Sequence, residues 1–163
     1  MYRKILIPID DSEASWQAAA AGLRLARFHG ATAVGLAVIE YNPMFPPPLS
    51  MDSWAELYPE LIAEGRARLQ RLTRLAAELE VPLQAHLYYG SPAREILALA
   101  EQERPDLIVM AAHHGRLATL LLGSVSQEVL RQAACPVQIF GRGVAPAPAA
   151  TEVVAGAGSA DRG

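Results

Sequence analysis

The chain has 163 residues, which is enough for one ordinary domain and too few for two comfortable ones. Although 52% of the residues are hydrophobic, no apolar run approaches the ~20 residues that span a bilayer and the start lacks a secretory signal core, so we expect a cytoplasmic protein. The formal net charge of −3 removes the usual electrostatic reason to expect nucleic-acid binding, and the single cysteine, Cys135, can form neither an intramolecular disulfide nor a zinc site.

Two hydrophobic patterns alternate along the chain. Short runs rich in β-branched residues are followed by longer segments with helical spacing, and this alternation is typical of a parallel sheet covered by helices. We therefore predict an α/β domain of five strands and four helices. The strands are expected at about residues 4–9, 32–39, 82–88, 107–112 and 137–140, and the helices at about residues 13–29, 54–80, 92–102 and 124–133.

Helix boundaries are marked by capping residues. Ser12 is expected to cap the first helix, which should stop before Gly30, and Ser91 with Pro92 predicts the cap and first position of the third helix. The first predicted strand is nearly all apolar, as expected of a strand buried on both faces. One side of the first helix carries the apolar residues Trp16, Ala19, Ala20, Leu23 and Ala26.

The second predicted helix has an apolar stripe and a charged face. Leu61, Leu72 and Leu79 are expected to stack on the stripe. Three arginines fall on the opposite arc, which we interpret as a solvated face because glutamates lie among them; the alternative is a phosphate-binding patch. They are Arg66, Arg71 and Arg74.

Two segments are predicted to lie outside the regular elements. Residues 42–48 contain four prolines, which fit neither a regular helix nor an interior strand, so we expect a surface excursion there. Residues 143–163 shift to Ala, Gly and Pro without aromatics and are predicted to form a disordered tail after a domain of residues 1–142.

Three polar segments follow predicted strands or open a predicted helix. In an open α/β sheet, ligands bind beyond the carboxyl ends of the strands where the strand order reverses. Glycine at a helix start lets a phosphate approach the backbone N–H groups, and serines there add hydroxyl donors. The alternative is ordinary capping and turn formation, and adjacent histidines point in opposite directions, so they are not expected to bind one ion together. The segments are Asp10-Asp11-Ser12, His113-His114-Gly115-Arg116 and Gly123-Ser124-Val125-Ser126.

Several blocks of the chain resemble the universal stress protein family. The resemblance covers residues 2–141 and is most specific in the last block. It implies a Rossmann-like, five-stranded parallel sheet in the order 3-2-1-4-5 with helices on both faces, and a homodimer formed largely through the last strand. The blocks are residues 5–15, 106–110, 122–130 and 134–137.

Family members that bind ATP usually carry GxxG, nine residues, and then Gly followed by Ser or Thr. In this chain Ala112 stands in the place of the first glycine before His113, His114 and Gly115, and only seven residues separate Gly115 from Gly123. The added methyl group crowds a site where backbone must approach phosphate, so the chain looks more similar to the non-binding branch of the family.

Other family positions are present. By resemblance, Pro8 and Asp10 lie beside the adenosine and the Val38 backbone meets adenine. The candidate site for ATP or AMP, with no metal assigned, is therefore Pro8, Asp10, Val38, Ala112, His114, Gly115, Gly123, Ser124, Val125 and Ser126.

The resulting functional hypothesis is a homodimeric regulatory or protective stress-response module without catalytic turnover and with weak or absent nucleotide binding. One alternative is an ATP- or AMP-binding switch, and another is a metal-assisted phosphohydrolase using Asp10, Asp11 and one histidine. Cys135 is interpreted as a small packing residue, with redox sensing as the alternative. The dimer hypothesis depends on the predicted edge strand formed by Val137, Gln138, Ile139 and Phe140.

Overall fold

The computed structural model describes residues 1–40, 58–112 and 122–141, and there the chain forms a parallel sheet with helices on both faces. Across the sheet the strand order is β3-β2-β1-β4-β5, and every neighbouring pair is parallel. This confirms the predicted fold class and strand order. The elements are β1 (Lys4–Ile9), α1 (Glu13–His29), β2 (Thr32–Ile39), α2 (Pro59–Glu78), β3 (Leu83–Tyr89), α3 (Pro92–Glu103), β4 (Leu107–Ala111), α4 (Ser124–Gln132) and β5 (Val137–Phe140).

The core lies on both faces of the sheet, as the apolar run of β1 predicts. Successive side chains of a strand point to opposite faces, so Ile5 and Ile7 pack under α1 and α2 while Leu6 packs under α3 and α4. All three side chains are fully buried. The central strands therefore hold the carboxyl ends of β1 and β4 side by side on a packed base.

Local capping sets the ends of α1. The Ser12 hydroxyl oxygen accepts a hydrogen bond from the Ser15 N–H at 3.1 Å, which confirms the predicted cap. Gly30 ends the helix with φ of 64°, a left-handed conformation that glycine adopts without strain. Trp16 and Ala20 are half-buried at the border of the predicted apolar side, and its other members are buried against the sheet.

The apolar stripe of α2 differs from the predicted one. Leu72 is fully buried, but Leu61 is 37% exposed and Leu79 lies just beyond the last helical residue. Successive residues of an α-helix are rotated by 100° about its axis. The buried face contains Ile62, so the preceding residue, Leu61, lies at the edge of that face. The buried positions of α2 are Ile62, Gly65, Leu69, Leu72 and Ala76.

The bounds of α2 also differ from the prediction. The helix begins at Pro59, with Tyr58 as the N-cap residue, and the start predicted near residue 54 lies outside the described residues. It ends at Glu78 because Glu80 adopts a positive φ of 56°. The predicted solvated face is confirmed, since its three arginines are exposed: Arg66, Arg71 and Arg74.

The remaining elements agree with the predicted bounds to within a residue or so at each end. Ser91 and Pro92 occupy the predicted N-cap and first-turn positions of α3, but within the described ranges the Ser91 side chain makes no capping hydrogen bond. The proline-rich residues 42–48 and the tail predicted for residues 143–163 lie outside the described residues. None of the described helices is both long and apolar enough to cross a membrane.

Polar contacts fasten the start of β1 to the segment before β4. The Asp106 carboxylate accepts hydrogen bonds from the backbone N–H groups of Arg3 and Lys4 at 2.7 and 2.9 Å, and these bonds hold its pKa below the usual range. The Lys4 ammonium donates to the Glu103 carboxylate at 2.7 Å and lowers the pKa of Glu103. These contacts lie at the amino-terminal edge of the sheet, away from the carboxyl ends where a ligand would bind.

Candidate functional site

The carboxyl end of β1 is closed by a hydrogen-bonded turn. The Asp10 N–H donates to the Ser15 hydroxyl oxygen at 2.9 Å, and the Asp10 carboxylate accepts from the Ser12 N–H at 2.7 Å. The first turn of α1 thus holds Asp10 from both its backbone and its side chain. This fixes a half-buried carboxylate at the tip of β1.

A cavity of about 140 Å³ lies at this tip, between the carboxyl ends of β1 and β4. The strand order reverses at β1, because β2 is its neighbour on one side of the sheet and β4 is its neighbour on the other. Four of the residues predicted from the sequence line this one cavity: Pro8, Asp10, Val38 and Val125. The other lining residues are Ile9, Ser15, Leu36, Glu40, Pro92, Ile96, Met110 and Ala111.

The start of α4 contributes a backbone terminus and one exposed hydroxyl. Gly123 is the N-cap residue, Ser124 is exposed at the first helical position, and Val125 faces the cavity. Ser126 is fully buried, and its hydroxyl donates to the Gly123 carbonyl oxygen at 3.0 Å. Of the two serine hydroxyls considered as phosphate donors, only the Ser124 hydroxyl is exposed.

The other predicted residues are placed less favourably or lie outside the described residues. Ala112 follows β4, where it is buried and its N–H donates to the Phe140 carbonyl oxygen at 2.8 Å. That N–H serves the sheet and does not point to a ligand. His114 and Gly115 fall in residues 113–121, outside the described residues.

Arg68 of α2 is a charged residue next to the site that the sequence analysis did not single out. Its guanidinium makes two hydrogen bonds to the Asp11 carboxylate, one of them at 2.6 Å, and lies 3.7 Å from Glu64. The Arg68 side chain is 17% exposed, whereas that of Asp11 is 71% exposed. The spacing of Glu64 and Arg68, four residues apart on a helix, was the available signal, but nothing in the sequence pairs Arg68 with Asp11.

This ion pair borders a second cavity of about 350 Å³ beside the first. Asp10, Val38 and Glu40 line both cavities, so they form the wall between them. The second cavity is the more acidic of the two. Its other lining residues are Asp11, Ser12, Ile39, Leu61, Glu64 and Arg68.

The described side chains do not gather metal ligands. Within residues 1–40, 58–112 and 122–141, no three His, Cys, Asp or Glu side chains lie close enough to hold an ion. The Asp11 carboxylate binds Arg68 instead. The histidines of the phosphohydrolase alternative, His113 and His114, lie outside these ranges.

Cys135 lies on the opposite side of the fold from this tip. It is half-buried before β5 and packs against the core beneath α3 and α4. Burial raises the pKa of its thiol, so the reactive thiolate is disfavoured at neutral pH.

Comparison with known proteins points to one family. The model of the universal stress protein family matches residues 1–140. Universal stress protein MJ0531 of Methanocaldococcus jannaschii is 36% identical over 141 residues, covering 85% of this chain and 82% of that protein. The solved structure of MJ0577, from the same organism, is similar with a TM-score of 0.71 and 27% identity, covering 87% of this chain and 97% of that one.

A universal stress protein solved in complex with cAMP has the same fold. The TM-score is 0.65 at 20% identity, over 85% of this chain and 97% of that chain.

Proposed function

The chain belongs to the universal stress protein family, and we propose that it is a regulatory stress-response module that binds an adenine nucleotide weakly and has no catalytic turnover of its own. The observation that carries this proposal is the cavity in which the tip of β1, the end of β2 and the first turn of α4 meet. A crevice at the point of strand-order reversal is where open α/β sheets bind ligands.

The chemistry of the described lining fits a nucleoside. Leu36, Ile96 and Met110 supply apolar surface for a base, and the Asp10 carboxylate can accept hydrogen bonds from sugar hydroxyls. The amino terminus of α4 lies beside the cavity through Val125, and helix amino termini favour anions such as phosphate. The residues that would hold the nucleotide are therefore Asp10 and the start of α4.

Weak binding is supported by how few donors for phosphate the described part of the site offers. Tight phosphate sites need several N–H and O–H groups that converge on one anion. The Ser126 hydroxyl donates to the Gly123 carbonyl oxygen, and the Ala112 N–H donates to Phe140. Both groups are thus occupied within the protein.

The absence of catalysis is supported by the groups that line the cavity. The polar side chains among the described lining residues are Asp10, Ser15 and Glu40, and no histidine, cysteine or lysine stands among them. Covalent catalysis by a serine usually requires a neighbouring base and a group that orients the base. Incubation with ATP and Mg²⁺ should therefore release no phosphate above the rate without protein.

Calorimetry tests nucleotide binding directly. The full chain is titrated with AMP, cAMP and ATP with Mg²⁺, and we expect saturable heat at millimolar ligand. Asp10→Asn keeps an acceptor for the Ser12 N–H but removes the charge, so it should weaken binding by about tenfold. The matched control is Asp11→Asn, since Asp11 faces Arg68 and does not line the first cavity. No heat from the unmodified chain at millimolar ligand overturns nucleotide binding.

We further propose that the module is a homodimer joined through β5. Among the described strands β5 is an edge of the sheet and pairs with β4 alone. The Pro136 carbonyl oxygen, just before β5, accepts from the Ile108 N–H of β4, and the Phe140 carbonyl oxygen accepts from the Ala112 N–H, just after β4. Unpaired edges favour pairing with a second chain, and a two-fold dimer joins the same edge twice. Light scattering should give the mass of a dimer at micromolar concentration, and the mass of a monomer would contradict this proposal. The strand residues are Val137, Gln138, Ile139 and Phe140.

A further inference from the structure

β3 is the other edge of the described sheet, and it lacks the features that usually protect an edge strand. Among the described strands it pairs with β2 alone, in an unbroken register over all seven of its residues. Edge strands of natural proteins are usually very short, bulged, or interrupted by charged residues and proline. β3 is longer than β5, which has four residues, and its sequence LQAHLYY contains no proline and no Asp, Glu, Lys or Arg. An edge of this kind is a template for an added strand.

Alternate backbone groups of β3 face away from the sheet. At one end of the β2–β3 ladder the Ala33 N–H donates to the Pro82 carbonyl oxygen at 2.8 Å, and at the other end the Gly90 N–H donates to the Ile39 carbonyl oxygen at 3.0 Å. Bonding residues alternate along a strand, so the even-numbered residues of β3 bond to β2 and the odd-numbered residues point outward. Within the described part of the chain, the outward N–H and C=O groups of the first five strand residues have no partner. These groups belong to Leu83, Ala85 and Leu87.

Two arginines of α2 flank this edge. On their shared face of the sheet α1 packs on β1 and β4, and α2 packs on β2 and β3, so the side of α2 away from α1 borders the edge. Arg68 bonds to Asp11 at the start of α1, which marks the inner side of α2. Arg66 and Arg74 are rotated from Arg68 by about 160° and 120° around the helix axis, so they lie on the outer side. Both are exposed, and neither pairs with a carboxylate of the described residues.

Contacts of α2 place these two arginines level with the outward groups of β3. A Cβ atom built on Gly65, next to the first arginine, would lie 2.7 Å from Cδ1 of Leu87. Two residues beyond the second arginine, the Ala76 carbonyl oxygen accepts from the Val81 N–H at 2.9 Å, just before β3. The first arginine therefore lies near the fifth residue of the strand and the second near its start. The groove that they line contains no acidic side chain among its described residues.

The spacing of the arginines defines the chemistry of the partner. Eight positions of an α-helix span about 12 Å. In an added strand, residues i and i+4 lie on the same face and are about 13 Å apart, so acidic side chains at those positions would each meet one arginine. A second copy of this chain fits poorly. A two-fold pairing of β3 with β3 would bring the arginines of one chain against those of the other, and like charges repel.

We propose that the edge of β3 is a docking surface for an extended segment of another protein that carries two carboxylates four residues apart. The segment adds to the sheet beside β3. Its backbone bonds to the outward N–H and C=O groups of the strand, and its two carboxylates lie beside Arg66 and Arg74. The nucleotide cavity takes no part in this docking, and the β5 edge stays available to a second copy of the chain.

Labelled peptides test the docking surface. Fluorescence anisotropy at low ionic strength compares TVEVTVEVT, which reads the same in both directions, with TVKVTVKVT and with TVEVTEVVT, whose glutamates point to opposite faces of a strand. We expect the first peptide to bind about tenfold more tightly than the lysine peptide and about threefold more tightly than the rearranged one. The net charge of the chain is −3, so non-specific attraction favours the lysine peptide and cannot produce this order.

Two sets of variants separate the charges from the strand edge. Reversing both charges with Arg66→Glu and Arg74→Glu should make the chain prefer the lysine peptide. The matched control is Arg24→Glu with Arg131→Glu, which changes the net charge equally at exposed positions of α1 and α4 and should keep the preference for TVEVTVEVT. Ala85→Pro removes an outward N–H without touching the bonds to β2, so it should weaken binding at least about tenfold, whereas Ala85→Ser keeps that N–H and should bind within about twofold of the unmodified chain.

The results divide cleanly. No binding of TVEVTVEVT at millimolar concentration, or equal binding of all three peptides, overturns the proposal. A preference for the acidic peptide that survives reversal of both arginines also overturns it, and this comparison decides even where Ala85→Pro does not fold. If Ala85→Pro folds and halves the mass measured by light scattering, β3 joins two copies of this chain and the proposed partner is wrong. The proposed nucleotide binding is measured separately and stands or falls without these results.

Discussion

Replacing Gly35 by alanine tests how tightly α2 packs on the sheet. Gly35 is in the middle of β2, opposite Ile7 of β1 and Ala85 of β3. A Cβ atom at this position would lie 2.5 Å from Cδ2 of Leu72, well inside the contact distance of two carbon atoms. Leu72 is fully buried, so it has no open space into which it can move.

The expected change is a net loss of stability. Overpacking a dense core costs about 1–3 kcal/mol, whereas alanine gains about 0.5–1 kcal/mol over glycine inside a strand. Taken at the middle of both ranges, the difference predicts that Gly35→Ala lowers the free energy of unfolding by roughly 1 kcal/mol. Urea unfolding followed by circular dichroism measures it. Gly141→Ala is the matched control, since an added Cβ there meets no described atom within 4 Å.

A double-mutant cycle tests whether contact with the Leu72 side chain causes the loss of stability in Gly35→Ala. Leu72→Ala alone should cost about 2–5 kcal/mol because it leaves a cavity. In the double variant the new methyl group at position 35 occupies part of that cavity, so the combined loss should be smaller than the sum by at least about 1 kcal/mol. Additivity to within about 0.5 kcal/mol, or a gain in stability from Gly35→Ala, would refute the packing argument.

Two electrostatic predictions follow from the described contacts. Because backbone hydrogen bonds hold the folded pKa of Asp106 below its unfolded value of 3.8, its stabilising effect is fully present above that pH and is lost as the pH falls through the folded pKa. Unfolding free energies of Asp106→Asn and of the unmodified chain should therefore differ most at neutral pH, and the difference should shrink as the pH falls below about 3.8. A difference that stays constant down to about pH 3 would contradict this. The Asp11–Arg68 pair should show a coupling energy of about 0.5–1 kcal/mol in a cycle of Asp11→Asn and Arg68→Ala, since Asp11 is 71% exposed. That coupling should fall in 1 M salt, and a salt-independent value would show that the contact is not electrostatic.

The limits of the sequence prediction are clearest in α2. Its helical character was predictable from spacing, but the rotation of the helix on the sheet was not, so Leu61 was assigned to a stripe that Ile62 occupies. The buried glycine of this helix, Gly65, carried no hydrophobic signal at all. A glycine faces the sheet here because β2 and β3 side chains approach it closely, with Leu87 and Ile39 as its nearest neighbours.

The candidate site was also predictable only in part. Asp10, Val38 and Val125 were named from local motifs and family resemblance, and the structure brings them to one cavity. The sequence does not single out Ser15, which lies within the block of residues 5–15, because the role of its hydroxyl depends on its hydrogen bond from the Asp10 N–H and on its burial. Neither property can be seen in a string of residues.

The sequence by itself determined the kind and order of the described elements, the cap of α1 at Ser12 and the fold class. These features depend on residues within a few positions of one another and on the spacing of hydrophobic residues along the chain. Only the tertiary structure decided which polar groups meet: Arg68 with Asp11, separated by 57 positions, and Asp106 with the start of β1, separated by 103 from Arg3. Such contacts depend on how each helix is rotated and placed on the sheet. That placement is set by the packing of many side chains together and not by any one segment.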